Sequence, residues 1–320
     1  MKRNLRKLVL LCAMLAMVAS VFASGQSESA NDVYPSKEVS VIVIANAGGG
    51  TDAMARAVTV PLETMLGKPF VVINNGSAGG LIASEDISQA EPNGYTLGVF
   101  SNTDVANFAY TMDDCLFDVD DFTYIAGLNT TGDVVILKKG SQFSSLDEFL
   151  AYAKQNPGKL TVGLPSPIQK MSLTLFQNGV GATVTGVVYE GGNKLFADLL
   201  GGHVDAAILS AKFIKQAGEN NLTVLGLMLD QRLSSYPEVP TFTEQGYKIV
   251  NPAVRMLVGP KGISEEVVAK LEETLKEGFT ADMKKNIETI GEVPQLLIGD
   301  ELDAFLKEDF EMRKAYYESL

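Results

Sequence analysis

Apolar runs alternate with glycine-rich loops and helical patterns along the first third of the chain. Residues 39–44 form an apolar, β-branched run of the length of a buried strand. Residues 46–50 cannot extend that strand, because three consecutive glycines favour a turn, and Thr51 or Asp52 is predicted to cap a helix that ends at Leu66. A strand, a glycine loop and a helix N-terminus together suit a small anion. An ordinary turn without a ligand is the equal alternative.

The same pattern then repeats. Residues 70–73 and 95–100 are predicted strands, a second glycine-rich loop covers 74–80, and a helix follows at 81–90. Pro61 lies inside the first predicted helix, where it predicts a kink or a break. Three βα units in succession predict a parallel sheet with helices on its faces. Ligands bind such sheets beyond the carboxyl ends of the strands.

A second βα domain is predicted after the polar stretch 129–133, which separates apolar runs at 122–128 and 134–137. Further strands are predicted at 160–164, 183–189, 204–209, 222–229 and 254–258. Further helices are predicted at 145–155, 168–178, 190–200, 264–278, 281–290 and 301–319. The chain is expected to return to the first domain through 230–240, and two such crossings create a hinged cleft for a small ligand.

Composition narrows the classes of function. A basic start, an apolar stretch and small residues before Ser24 predict a cleaved signal peptide at 1–23, followed by a disordered tail at 24–33, so a periplasmic protein is expected. The predicted leader holds four of the 26 Lys and Arg residues, which leaves 22 against 39 Asp and Glu, a formal net charge of −17. This charge argues against binding to nucleic acid or to an anionic membrane surface.

Residues able to carry catalysis or bind a metal are few. His203 is the only histidine, no G-x-S-x-G motif accompanies it, and a turn position explains it. Cys115 is the only cysteine after the leader, so zinc would have too few soft ligands, and the acidic stretch 113–121 lacks EF-hand spacing. Asp52 could serve as a general base, although helix capping already explains it. We expect no cofactor and no metal.

Short motifs along the whole chain carry a family resemblance. They include Ala-Gly-Gly-Gly-Thr-Asp at 47–52, Leu-Gly-Lys-Pro at 66–69, Asn-Gly-Tyr-Thr-Leu at 93–97, Tyr-Glu-Gly-Gly at 189–192 and Asp-Leu-Leu-Gly-Gly-His-Val-Asp at 198–205. With this set the chain resembles, over 34–320, the Bug-type, TctC-like solute-binding receptors of tripartite tricarboxylate transporters.

The resemblance implies a fold and a function. The fold would be the two-lobed, type II-like α/β fold of periplasmic binding proteins, in which each lobe is a mostly parallel sheet flanked by helices and the ligand cleft lies between the lobes. Lobe 1 would comprise 34–130 and 230–320, and lobe 2 would comprise 131–229. As a monomer, the protein would capture a small carboxylate, such as a di- or tricarboxylate, and deliver it to the permease subunits of the transporter.

The resemblance also implies which residues contact the ligand, largely through backbone amides and hydroxyls and without an obligatory arginine. Those from the first lobe are Ala47, Gly48, Gly49, Thr51, Asp52, Ser101 and Asn102. Those from the second lobe are Ser166, Tyr189, Gly191 and Gly192. The chain departs from the family at 165–167 and at Arg255, and a solvated or structural Arg255 is the preferred interpretation.

Two alternatives remain open at the level of sequence. One is a periplasmic α/β enzyme that uses Asp52 or His203, and it predicts turnover that falls when either residue is substituted. The other is a receptor that signals to a membrane sensor kinase. A sensor receptor and a transport receptor both predict stoichiometric binding without a product, so binding measurements on the isolated protein do not separate them.

Overall fold

The computed structural model describes residues 33–289 and 292–320. The strands are β1 (Val39–Val43), β2 (Phe70–Asn74), β3 (Thr96–Ser101), β4 (Phe122–Leu137), β5 (Thr161–Leu164), β6 (Thr185–Val188), β7 (Ala206–Ser210), β8 (Val224–Leu227), β9 (Pro252–Ala253), β10 (Arg255–Pro260) and β11 (Val293–Leu297). The helices are α1 (Gly50–Leu66), α2 (Leu81–Ser88), α3 (Asn102–Thr111), α4 (Leu146–Gln155), α5 (Lys170–Val180), α6 (Gly192–Gly201), α7 (Ile214–Glu219), α8 (Glu265–Gly278), α9 (Ala281–Thr289) and α10 (Asp300–Glu318).

The predicted βα units form the first half of the sheet. β1 pairs in parallel with β2 and with β3. β10 is the next strand in this half, and it pairs antiparallel with β3. The predicted cap of α1 at Thr51 or Asp52 is wrong, because the helix already begins at Gly50 with Gly49 as the N-cap. The helix runs through Pro61 without a break and ends at Gly67, whose positive φ of 69° provides the left-handed C-cap.

The strand β4 joins the two halves of the sheet. Its first part pairs with β10 and β11, and its last part pairs with β7 and β8, in every case antiparallel. The polar residues 129–133, predicted to be a connection, lie inside this strand. They are tolerated there because they have partners: Asn129 donates to Glu292 at 2.9 Å, and Asp133 accepts from Ser172 at 2.6 Å.

The central strands of the second half of the sheet are buried on both faces, whereas the edge strand β6 is largely exposed. β5 pairs in parallel with β6 and with β7, as the βα pattern predicts. Successive residues of β4 point to opposite faces, so Val135 and Leu137 join one apolar cluster while Val134 and Ile136 join another. The side chains on both faces of this part of β4 are therefore buried, which is typical of a strand covered by helices on each side.

Four elements were not predicted from the sequence: α3, α7, β9 and β11. β11 contains Pro294, which weakens a strand signal, and within the described residues it pairs with β4 alone. α7 is six residues long and has no side-chain cap. The predicted signal peptide and the predicted tail up to residue 32 lie outside the described residues. Among the described helices, none has the length and apolar character needed to cross a membrane.

Candidate ligand-binding cleft

A polar cavity of about 300 Å³ lies where β4 passes from the first half of the sheet to the second. Its hydroxyl-bearing lining residues are Thr51, Ser101, Thr103, Thr131, Ser172 and Ser210. Its charged lining residues are Asp104, Asp133, Lys212, Arg255, Glu292 and Arg313. Only a few apolar side chains, including Ile168, accompany them. Such a wall is suited to a small polar ligand that is held by hydrogen bonds and charge.

Arg255 is held in the cavity wall by the protein itself. Its Nη1 lies 2.8 Å from Oε1 of the buried Glu292, and its Nε donates to the Thr51 hydroxyl at 3.2 Å. Asn129 completes the group, because its amide donates to Glu292 and its oxygen accepts the N–H of Arg255. A Cβ at Gly50 would lie 3.2 Å from Nη2 of Arg255, so the start of α1 approaches the guanidinium closely. These contacts are those of a positioned, ion-paired arginine.

A second arginine lies beneath the cavity and is almost completely buried. Arg313 on α10 binds Asp309 through two hydrogen bonds, of 2.8 and 2.9 Å, and also donates to the side chain of Asn251 and the carbonyl of Pro252. Asp309 in turn accepts from the buried Asn102 at the start of α3, at 2.7 Å. The pair therefore ties the C-terminal helix to both the first half of the sheet and the segment that leads into β9.

Hydrogen bonds continue from Arg313 to the cavity. Arg313 donates to the oxygen of Asn251 at 3.0 Å, the amide of Asn251 donates to the hydroxyl of Ser172 at 2.8 Å, and that hydroxyl donates to Asp133 at 2.6 Å. Burial raises the pKa of the Asp133 carboxyl, while the hydrogen bond from Ser172 and the charge of Arg313 act in the opposite direction.

Lys212 contributes an exposed ammonium group to the cavity from the turn after β7. Its Nζ lies 5.6 Å from the centre of the Phe213 ring. Within the described residues, Arg255 and Arg313 are both engaged in ion pairs, whereas Lys212 has none. Lys212 is therefore the lining cation whose charge remains available to an anionic ligand.

The structure brings some of the predicted contact residues to this cavity. Thr51 and Ser101 line it. Asn102 lies below it as a partner of Asp309. The hydroxyl of Ser166 accepts the N–H of Ile168 and bonds the side chain of Gln169, so it orients two lining residues without lining the cavity itself.

The other predicted contact residues lie outside the cavity lining. They are Ala47, Gly48, Gly49, Asp52, Tyr189, Gly191 and Gly192. Asp52 shapes the glycine loop, because it accepts the N–H of Gly48 at 2.8 Å and pairs with Arg56 at 3.0 Å. Although burial would raise its pKa, the contacts with Gly48 and Arg56 hold the pKa of Asp52 below its ordinary value.

Gly49 tests whether the glycine loop reaches the ligand. A Cβ at this position would meet only the carbonyl of Asn46, at 3.5 Å, and the backbone has a φ of −84°. The space at this position should let Gly49→Val fold, with a small decrease in the unfolding temperature because Gly49 is the N-cap of α1. A ligand that reaches from the cavity to the loop, as the resemblance implies, requires this variant to abolish ligand binding. Titration calorimetry beside a melting curve checks both statements. An unchanged dissociation constant would remove the loop from the site.

Sequence reasoning missed most of the charged lining. Asp133, Lys212, Glu292 and Arg313 were not selected, because they lie on segments that are far apart in the chain. Two features of the sequence could have pointed to Arg313. It is one of only four arginines after the predicted leader, and it lies in a helix whose apolar pattern predicts one buried face. The polar stretch that contains Asp133 predicts a connection between strands instead of a site.

Comparisons with known proteins show the family and the fold. The family model of the tripartite tricarboxylate transporter family receptor, TctC, matches residues 54–301. Protein BugT of Bordetella pertussis is 28% identical over 289 residues, which cover 88% of each chain.

Solved structures match over nearly the whole chain. A TctC solute-binding protein from Polaromonas, solved without ligand, has a TM-score of 0.82 and 25% identity over 90% of this chain and 100% of its own. MatC from Rhodopseudomonas palustris, solved with bound malate, has a TM-score of 0.68 and 24% identity over 89% and 100%. These likenesses confirm the predicted two-lobed α/β fold of periplasmic binding proteins. Because the family model covers most of the sequence, the chain belongs to the TctC family of solute-binding receptors of tripartite tricarboxylate transporters.

Proposed function

We propose that this receptor captures a small carboxylate in the periplasm and delivers it to the permease subunits of a tripartite tricarboxylate transporter. The observation that carries the proposal is the presence, in one cavity, of the Lys212 ammonium and the hydroxyl of Thr51. Within the described residues Lys212 has no ion pair of its own. The oxygen of Thr51 accepts from Arg255, which leaves its hydrogen for a ligand, whereas the hydroxyl of Ser101 donates to Asp104. The ammonium and the Thr51 hydroxyl supply charge-assisted hydrogen bonds of the kind that a carboxylate needs.

The position of the cavity supports the same proposal. Thr51 lies in the first turn of α1, and Ser101 is the N-cap of α3. Both helix N-termini therefore add a positive dipole end close to the bound group. MatC, which has the same fold, holds malate, itself a small carboxylate.

The two residues that the enzyme alternative requires, Asp52 and His203, lie away from the cavity. Asp52 is engaged with Gly48 and Arg56, and His203 is exposed on the turn after α6. Neither residue lines the cavity. A receptor for a sensor kinase would bind its ligand in the same way, so that alternative differs only in the membrane partner.

The lobes would move about the segments that connect them. We propose that the lobes meet inside β4, at about residues 130–131, beside the cavity. The sequence predicts a return to lobe 1 at 230–240, but Phe242 and Ile249 share an apolar cluster with Val135. We therefore propose the segment around Asn251 and Pro252 as the second crossing, so that it and β4, which both pass beside the cavity, would act as hinges. Closure over the ligand would exclude water and strengthen the contacts of Lys212.

A melting experiment tests the proposal. The mature protein is unfolded and refolded to remove any carried ligand, and its unfolding temperature is then measured against small carboxylates and neutral analogues. A ligand at 100 times its dissociation constant adds about 2.7 kcal/mol, which corresponds to an increase of about 5–10 °C for a protein of this size. An increase with carboxylates alone is expected. No increase with any carboxylate, or an increase with neutral analogues alone, would contradict the proposal.

A further inference from the structure

Asp133 presents a carboxylate to the cavity, where a receptor for simple anions would place a donor. It is nine-tenths buried, and one of its oxygens accepts the hydroxyl of Ser172 at 2.6 Å. The other oxygen has no hydrogen-bond partner among the described residues. Because Asp133 lines the cavity, that free oxygen is available to a bound molecule.

The hydrogen bonds behind Asp133 have only one possible direction. Arg313 can only donate, so the side-chain oxygen of Asn251 must accept from it. The amide nitrogen of Asn251 then faces Ser172 and donates, which leaves the hydroxyl hydrogen of Ser172 for Asp133. The series of hydrogen bonds that begins at the permanently charged guanidinium of Arg313 therefore ends at Asp133, which accepts the last of them. A ligand group that meets this carboxylate must bring a hydrogen-bond donor.

The balance of charge in the cavity points the same way. Glu292 neutralises Arg255, and Asp309 neutralises Arg313. Among the charged lining residues, this leaves one cation, Lys212, and two carboxylates, those of Asp104 and Asp133. A ligand with two carboxylates would add two negative charges beside them. A ligand with one negative and one positive end would pair with the Lys212 ammonium at one end and with a carboxylate of the cavity at the other. This pairing offsets part of the free energy needed to desolvate those charges.

We propose that the ligand of this receptor is a carboxylate that also carries a protonated amino group, as in an amino acid, with the ammonium on Asp133 and the carboxylate on Lys212. The proposal rests on the proposed function, because it names the class of carboxylate that the same cavity takes. The ammonium supplies the donor for the free oxygen of Asp133. The hydroxyl of Thr51, whose oxygen accepts from Arg255, keeps its hydrogen for the carboxylate end.

Matched pairs of ligands test this proposal on the wild-type protein. The pairs are aspartate with succinate, glutamate with glutarate, and alanine with propionate, so each pair differs by one amino group. Titration calorimetry on the refolded protein should give, for at least one pair, a dissociation constant at least 10 times lower for the amino member. Equal affinity within every pair, or tighter binding of the acids without the amino group, would overturn the inference and leave the proposed function standing. Absence of binding by every member would also overturn the inference, while the wider melting panel decides the proposed function.

A pair of variants then assigns the amino group to Asp133. Asp133→Asn should reduce the preference for the amino member at least 10-fold, because the acceptor charge is lost. Asp147→Asn is the control, since it removes the same charge from an exposed position at the start of α4, and it should keep the preference. Retention of the preference by Asp133→Asn would contradict the assignment. If Asp133→Asn does not fold, the ligand pairs on the wild-type protein still decide the class.

Discussion

Arg313→Met is expected to destabilise the ligand-free protein by about 3–5 kcal/mol, because it leaves the carboxylate of Asp309 buried without its counter-charge. Both side chains are only 2% exposed, and the guanidinium makes two hydrogen bonds to Asp309. Asn251 loses a donor at the same time. For a protein of this size the loss corresponds to a decrease of about 6–20 °C in the unfolding temperature, which calorimetry or circular dichroism measures.

The matched control is Arg232→Met. Arg232 also forms an ion pair with bonds near 3 Å, to Glu244, but both side chains are more than 40% exposed. Water solvates the remaining carboxylate there, so we expect little change in the unfolding temperature. Replacing both buried partners, in Arg313→Met with Asp309→Leu, should recover part of the loss, because no unpaired charge remains. Equal effects of Arg313→Met and Arg232→Met would contradict the role given to burial.

Lys212→Met is expected to raise the dissociation constant of the carboxylate ligand about 10- to 100-fold, which is the effect of losing one charge-assisted hydrogen bond. The side chain is exposed and has no ion pair among the described residues, so its removal leaves no buried partner behind. The unfolding temperature of the ligand-free protein should therefore stay the same. Titration calorimetry with the best ligand of the melting panel measures the change.

Lys215→Met is the matched control for this variant. Lys215 is exposed on α7, three residues from Lys212, and lies outside the cavity lining. It should bind the ligand as the wild type does, even though it carries the same change in net charge. An unchanged dissociation constant in Lys212→Met, or an equal loss in both variants, would show that Lys212 does not contact the carboxylate.

Local pattern was sufficient to predict the βα units. The run at 39–44, the glycines after it and the helix to Leu66 each leave a signal within a few residues, and β1 and α1 lie where that signal predicts. The start of α1 was predicted two or three residues late, since Gly49 rather than Thr51 or Asp52 forms the cap, and it does so without a side-chain bond. Element ends depend on such details of the backbone more than on the apolar pattern.

The stretch 129–133 shows where local pattern fails. Its polar residues predict a loop, yet they lie in the middle of β4. Asn129 finds its partner 163 residues away, in Glu292, and Asp133 finds Ser172, 39 residues away. Polar side chains are stable inside a sheet only when such partners exist, and the spacing of residues along the chain does not reveal them.

The sequence by itself determined the class of the protein: the alternation of strands and helices, two glycine loops, and the motifs of a TctC-type receptor. It also predicted that the loops after β1 and β3, which lead to Thr51 and Ser101, lie at one edge of the sheet, because the carboxyl ends of parallel strands share that edge. Only the tertiary structure decided which charges surround the ligand. Asp133, Lys212, Glu292 and Arg313 come from four distant segments, and only the packing of those segments determines which of their charges are paired and which remain available to a ligand.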